Sequence, residues 1–204
     1  MKRPVSILTI IFALLLSGSM FAQLSINPGI KGGITIAKVS FSENVIDDAF
    51  KNRTGFLGGA FLEIDPLGPL GFQIEGLFIQ KGASADSDSG EASLNFSYID
   101  VPVLVKLQLA TPAPATPSFY LGPVFGFNLK AEGEFEGETE DLKEDVKGLD
   151  VAFAVGIDLA LGAAGTKFII DLRYMRGLSN INDDPLLEGD VKNNVFAAML
   201  GVSF

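Results

Sequence analysis

Hydrophobic and polar residues alternate with a period of two along most of the chain, as they do in β-strands whose two faces have different surroundings. Eight segments carry this alternation, at residues 29–38, 55–64, 71–81, 96–109, 118–131, 149–161, 167–178 and 194–204. Most of them are long enough to cross a bilayer as a tilted strand, which takes about 9–11 residues. The pattern therefore predicts an all-β fold in a single domain.

The connections between these segments alternate between long and short. The short ones are rich in proline and glycine, whereas the long ones are polar and cover residues 39–54, 82–95, 132–148 and 179–193. A membrane barrel has this parity because one rim faces the exterior and the other faces the periplasm. We therefore predict an eight-stranded antiparallel up-and-down transmembrane β-barrel.

The fourth segment shows most clearly how the two faces of a strand differ. Val103, Val105 and Leu107 fall on one face, and Asp100 and Lys106 fall on the other. A Lys or Arg that faces lipid near the midplane costs about 2–4 kcal/mol, so we expect the apolar face to point outward and the charges inward. A soluble periplasmic barrel that binds a small apolar ligand would instead have its apolar face inward and its charges outward. This soluble binding protein is the alternative to a membrane barrel.

The charges predicted to face inward nearly balance, and unpaired charge is expensive in a narrow interior. We expect Lys31, Glu75, Asp100, Lys106, Asp158, Asp171 and Arg173 to form a charge network in the lumen. The full inward set adds Glu63, Lys81, Lys130, Asp150 and Lys167. The favoured interpretation is a salt-bridged plug that fills the lumen, since an eight-stranded barrel has room for side chains only. A narrow channel along Glu75, Asp100, Lys106 and Arg173 is the alternative.

The first 22 residues have the three parts of a secretory signal peptide. Lys2 and Arg3 precede an apolar run over residues 7–16, and Met20-Phe21-Ala22 is the expected cleavage site. The apolar run is too short to span a bilayer comfortably. We predict a cleaved signal peptide at residues 1–22 and a barrel domain at residues 23–204.

Composition narrows the chemistry that this chain can perform. Without the signal peptide the chain keeps all 25 acidic residues but only 15 − 2 = 13 basic ones, which argues against nucleic acid as a partner. The chain has no Cys, so disulfides and thiolate chemistry are excluded, and it has no His, which excludes a Ser-His-Asp triad. We predict a protein that is not an enzyme and that has no cofactor.

The most acidic stretch of the chain lies in the predicted loop at residues 132–148. The favoured interpretation is a solvated, strand-like extension of the fifth and sixth strands. Carboxylates are also the ligands that calcium prefers, so Glu134, Glu136, Glu138 and Asp141 are candidates for a divalent-cation site. No calcium-loop motif is present.

Several segments resemble the PorT-like family of small outer-membrane β-barrels, often labelled porin family proteins. The resemblance is carried by Gly29-Ile30-Lys31-Gly32-Gly33, Gln80-Lys81-Gly82, Tyr98-Ile99-Asp100-Val101-Pro102-Val103-Leu104-Val105-Lys106, Leu121-Gly122-Pro123, Arg173-Tyr174 through Gly177-Leu178-Ser179-Asn180-Ile181, and the last strand with its terminal Phe204. Asp100 stands where the family more usually has Glu, which keeps the carboxylate. The resemblance implies a Gram-negative outer-membrane location.

We expect a monomer in contact with outer-membrane lipid, whose long loops contact the exterior or a partner. We also expect contact with the insertion machinery during assembly, since the final strand closes the barrel and Phe204 resembles a C-terminal aromatic assembly signal. The expected role is in envelope structure or surface interaction. An accessory component of a secretion or assembly machine is the alternative within the membrane class.

Overall fold

The computed structural model describes residues 25–41, 51–65, 69–87, 90–111, 115–135, 138–163, 165–183 and 189–204. The predicted signal peptide lies outside these ranges and stays a prediction. The strands of the described part are β1 (Ser25–Phe41), β2 (Lys51–Asp65), β3 (Leu70–Ser87), β4 (Gly90–Gln108), β5 (Ala115–Phe135), β6 (Glu138–Asp141), β7 (Leu149–Ala163), β8 (Thr166–Gly177) and β9 (Val191–Ser203). Within the same ranges, no helix is long and apolar enough to cross a membrane.

Eight of these strands form a closed antiparallel barrel. Each strand pairs with the next one along the chain, β5 pairs with β7, and the ring closes where β1 pairs with β9. Strand β6 stays outside the ring and pairs only with the end of β5. The predicted eight-stranded up-and-down barrel is confirmed. We call the end with the short connections 66–69, 109–114 and 164–165 the turn side, and the opposite end the loop side.

The two faces of the strands are divided as the alternation predicts. On β4, Val103, Val105 and Leu107 are each 42% exposed, whereas Lys106 is 2% exposed and Asp100 is fully buried. The other barrel strands repeat this division, so large apolar side chains cover the outside. The prediction that apolar faces point outward and charged faces inward is confirmed for β4.

The loop side contains more strand than the alternation predicts. Residues 82–95, expected to be a polar loop, continue the β3–β4 ladder from the Gly82–Asn95 pair to the Ser87–Gly90 pair. The prediction of a loop there is wrong, because small and polar residues in water can also pair through their backbones. Strand β5 likewise continues to Phe135, where it forms a hairpin with β6, as expected for the acidic stretch.

Two lysines predicted to face inward do not join the interior. At a bulge, Ser97 pairs with Lys130 and Tyr98 pairs with Asn128, so Leu129 is an extra residue on β5. The bulge places Lys130 on the outside, with 62% of its side chain exposed. Lys167 reaches only the turn-side rim, where 39% of its side chain is exposed. The inward prediction is wrong for Lys130, whereas Lys167 has the inward register, pairing with buried Ser203, but lies at the rim.

Closure between the first and last strands can be tested with cysteines, because the chain has none. Ala37 and Val195 are register partners on β1 and β9. Partners in an antiparallel pair have Cα atoms about 4.5–5.5 Å apart, which suits a disulfide. We expect the Ala37→Cys, Val195→Cys variant to form an intramolecular disulfide on refolding in air, seen as faster migration on a denaturing, non-reducing gel.

The matched control is Ala37→Cys combined with Met199→Cys. Met199 pairs with Gly33, four residues along β1 from Ala37, which is too far for a disulfide. Equal crosslinking of the two variants would contradict the register of the closing strands.

Candidate functional site

Arg173 and Glu75 form the most extensively bonded ion pair of the barrel interior. The guanidinium Nη1 and Nη2 lie 2.7 and 2.8 Å from the two carboxylate oxygens. The Lys31 ammonium lies 3.0 Å from Glu75 and 2.8 Å from Asp171. The Tyr120 hydroxyl donates to Asp171 and accepts from Arg173 Nε at 3.0 Å. These side chains come from β1, β3, β5 and β8, so their contacts join opposite walls of the barrel.

Lys106 extends this arrangement toward the turn side. Its ammonium lies 2.6 Å from Glu63, 2.9 Å from Asp158 and 3.2 Å from the amide oxygen of Gln73. The Gln73 amide nitrogen in turn donates to Glu75. The two arrangements therefore form one network, the turn-side network, made of Lys31, Glu63, Gln73, Glu75, Lys106, Tyr120, Asp158, Asp171 and Arg173.

A second group of charges lies nearer the loop side. The Lys81 ammonium is 3.0 Å from Asp100 and 3.2 Å from Asp150. Asn193 and Ser179 donate hydrogen bonds to Asp150 at 3.1 and 3.2 Å. We call these residues the loop-side cluster.

An apolar layer separates the network from the cluster. On β3 the buried residues Leu77 and Ile79 lie between Glu75 and Lys81. Corresponding buried positions on the other strands are Pro102, Leu104, Val124, Ala152, Ala154, Val195, Ala197 and Met199. Across the described strands the lumen is therefore filled by two polar levels with an apolar level between them.

Every buried cation of the described interior contacts two carboxylates. Lys31 and Arg173 each contact Glu75 and Asp171. Lys81 contacts Asp100 and Asp150, and Lys106 contacts Glu63 and Asp158. The buried charged residues are four cations and six carboxylates, a formal sum of 4 − 6 = −2. Loss of Lys81 or of Lys106 therefore leaves two buried carboxylates without the cation that they share.

Glycines on neighbouring strands make room for the large polar side chains. Gly156 pairs with Tyr120, and a Cβ on Gly156 would lie 2.3 Å from the Tyr120 hydroxyl. Gly126 pairs with Asp100, and a Cβ there would lie 2.6 Å from the Asp100 carboxylate. Each side chain therefore lies across the bare backbone of its neighbour, which fixes its direction toward the lumen.

The segment between β6 and β7 packs over the loop-side mouth of the barrel. Val146 packs against the buried core and bridges to Asn182. The Lys147 amide donates to the carbonyl of Ile181 at 2.8 Å, and Ile181 is only 1% exposed. The Lys143 ammonium donates to the backbone and side-chain oxygens of Asn128. The described loop residues thus add a cover above the loop-side cluster.

The seven residues expected in the lumen network are all buried, but they fall into two groups. Asp100 belongs to the loop-side cluster with Lys81, and the other six belong to the turn-side network. Sequence reasoning missed Gln73 as a bridge and Tyr120 as a member. Their inward positions in the alternation were the only available signal, because the contacts depend on how the strands are staggered.

The acidic candidates for a cation site are not brought together. Glu134, Glu138 and Asp141 are exposed along the β5–β6 hairpin, and Glu136 lies outside the described residues. Among the residues that the structure describes, no group of three or more acidic side chains could hold a metal ion.

Phe204 is 64% exposed at the turn side, and its amide donates to the Pro28 carbonyl at 3.0 Å. Its role in assembly stays a prediction.

Comparisons with known proteins address the family and the fold. The sequence matches the family described as outer membrane protein beta-barrel domain over residues 21–183. No curated protein matches it in sequence.

Several solved structures resemble the chain at low identity. Neisserial surface protein A shares 15% identity with a TM-score of 0.47, over 89% of this chain and 99% of its own. Ail of Yersinia pestis shares 19% with a TM-score of 0.45, over 87% and 98%. OprG of Pseudomonas aeruginosa shares 9% with a TM-score of 0.45, over 89% and 96%.

Substitution of Lys81 by methionine tests the cost of an unbridged carboxylate pair. Lys81→Met leaves Asp100 and Asp150 buried without their shared cation, and breaking such a pair typically costs about 3–5 kcal/mol. We expect the free energy of unfolding to fall by that order, measured in urea by the fraction of folded, heat-modifiable band. The control is Lys130→Met, which breaks an exposed pair with Glu132 and should cost at most about 1 kcal/mol. Equal losses would contradict the burial of the cluster.

A methyl group at Gly156 tests the packing of Tyr120. Gly156→Ala must displace the Tyr120 ring and its bonds to Asp171 and Arg173, so we expect a loss of about 1–3 kcal/mol in unfolding free energy. Gly76→Ala is the matched control, because a Cβ there meets no atom within 4 Å. The assigned packing is wrong if both variants unfold at the same urea concentration.

Proposed function

Because this chain belongs to the outer membrane protein β-barrel domain family, we propose that it is a closed, non-enzymatic outer-membrane barrel with roles in envelope structure and surface contacts. Within that family we propose the PorT-like group, on the strength of the segment at residues 98–106. The protein reaches the membrane through a cleaved signal peptide and works as a monomer.

The filled interior is the observation that carries this proposal. The turn-side network and the loop-side cluster each join several walls of the barrel, and the apolar layer lies between them. An ion that entered at either rim would have to break buried ion pairs and then cross apolar side chains, which is costly. This favours a structural barrel over a channel.

The outer surface supports a location in lipid. Large apolar side chains around the barrel are half exposed, among them Phe72, Phe119, Ile157 and Phe168. A soluble protein rarely exposes a continuous apolar surface of this extent, because patches on monomers are usually a few hundred Å². Outer-membrane lipid is the partner that such a belt fits.

The loop side supports contacts at the cell surface. The β3–β4 and β5–β6 hairpins extend beyond the other strands and border a groove of about 530 Å³. Glu134, Glu138 and Glu140 line this groove and are exposed, so its rim is acidic. A protein or ion that meets this surface first encounters negative charge.

Conductance of the purified protein tests the closed interior. We expect no single-channel steps in planar bilayers, because the described lumen is blocked at two polar levels and an apolar one. The same preparation must show a heat-modifiable gel band and resist extraction without detergent, which establishes insertion. Reproducible steps from inserted protein would contradict the proposal and favour the channel alternative.

A further inference from the structure

Strand β6 is an edge of the sheet that extends from the loop side of the barrel. In this sheet β4 pairs with β3 as far as the Ser87–Gly90 pair and with β5 as far as the Ala92–Phe135 pair. Strand β6 pairs with the last four residues of β5, and among the described strands it pairs with no other. One side of β6 therefore presents backbone groups to which a further strand can bind.

The register identifies the backbone groups on that side. The Leu142 amide, which directly follows β6, donates to a β5 carbonyl at 2.9 Å. Alternate residues of an antiparallel strand point their amide and carbonyl groups toward the same neighbour. Glu138 and Glu140 therefore bond to β5, whereas Thr139 and Asp141 direct their backbone groups away from it. These two residues can form the ladder hydrogen bonds of an added strand.

The groove of about 530 Å³ beside this edge has an apolar floor, which Leu94, Phe135 and Leu142 form. Leu94 and Leu142 are partly buried because they pack against the core of the barrel. Phe135 lies on the same face of β5 as the buried Ala131, yet 50% of it is exposed. Phe135 is therefore the apolar side chain that a segment bound in the groove would cover.

The charges of the groove determine which partner it complements. Glu138 and Glu140 line it and are exposed. Of its described lining residues, three are glutamates and none is Lys or Arg. Lys143, the basic residue closest to β6 along the chain, donates instead to the oxygens of Asn128. The groove therefore complements a basic segment.

A second copy of the chain does not fit this edge. Two β6 strands side by side would place Glu138, Glu140 and Asp141 against the acidic residues of the other copy. Like charges that lie opposite each other destabilise a pair of strands, whereas opposite charges stabilise it. The acidic edge thus disfavours self-association and favours a partner strand with basic residues.

From the edge, the groove and its charges we infer that β6 binds an extended segment of another protein as an added strand, with Lys or Arg at alternate positions. The added strand lies about 4.7–4.9 Å from β6, so its groove-side basic groups can pair with Glu138 and Glu140. The long apolar stem of such a side chain covers Phe135, and an Arg guanidinium also stacks on aromatic rings. The inference deepens the proposed surface contact and rests on it.

Binding of a short peptide that alternates arginine with valine tests the inference. Purified protein in a zwitterionic detergent, shown to be folded by its heat-modifiable band, is titrated into labelled peptide and followed by fluorescence anisotropy. We expect this peptide to bind about tenfold more tightly than the same sequence with N-methylated backbone amides, since N-methylation removes ladder hydrogen bonds and keeps the charge. Equal binding of the two peptides, or no binding of either, overturns the inference.

Substitution of Thr139 by proline tests the edge from the side of the protein. The Thr139 amide points away from β5, so Thr139→Pro keeps the β5–β6 ladder and blocks the added strand. We expect this variant to bind the peptide about tenfold more weakly than wild type. Thr139→Val keeps the amide and is the control, which should bind as wild type does. Wild-type affinity in Thr139→Pro would refute strand addition.

Removal of the two groove-side charges tests the expected sign of the partner. We expect the Glu138→Gln, Glu140→Gln variant to bind the peptide about fivefold more weakly, since two cross-strand ion pairs are lost. The control is Glu144→Gln, Asp145→Asn, which changes the net charge equally at exposed residues outside the groove lining and should bind as wild type does.

Two outcomes of these measurements count against the inference. Equal weakening in both double variants would show long-range attraction without a site, and a wild-type dimer that Thr139→Pro dissociates would make a second copy the occupant. Failure of wild type to insert and give a heat-modifiable band would contradict the proposed function instead.

Discussion

A backbone amide or carbonyl that faces hydrocarbon finds no water, so a sheet in a membrane must pair its first strand with its last. In this chain that pairing runs from Gly29 with Ser203 to Phe41 with Val191. Because the ring closes with eight strands, its interior has room for side chains but not for a water column. The charge pairing inside and the apolar surface outside both follow from this closure.

Because the interior has no room for a water column, its charged side chains are partnered by one another. Glu75 and Asp171 each contact both Lys31 and Arg173, so these four side chains hold one another in place. Such a network is costly to desolvate, and removal of one member leaves a buried charge without its full set of partners. Tyr120 can join it only because its register partner is Gly156. A small residue on one strand is thus as necessary to the network as the charged residues on the others.

The alternation of residues was enough to predict the barrel and the inward direction of most charges, because side-chain direction depends on a single strand. It could not predict which charges meet, since that depends on the stagger between strands. Alternation places Asp100 on the same inward face as Glu75 and Arg173, yet Asp100 contacts Lys81 on the other side of the apolar layer. The predicted direction of Lys130 is wrong for a related reason. The bulge at Leu129 depends on the pairing of β4 with β5, so the sequence of β5 alone does not indicate it.

The position of each charge determines what it can meet. Buried cations are already bridged by carboxylates and are unavailable to any other partner, whereas the carboxylates of the β5–β6 hairpin are exposed. This hairpin lies at the loop-side end of β5, further from the turn side than the loop-side cluster. A polyanion that approaches from outside therefore meets the negative charge of the hairpin before it can reach any buried cation.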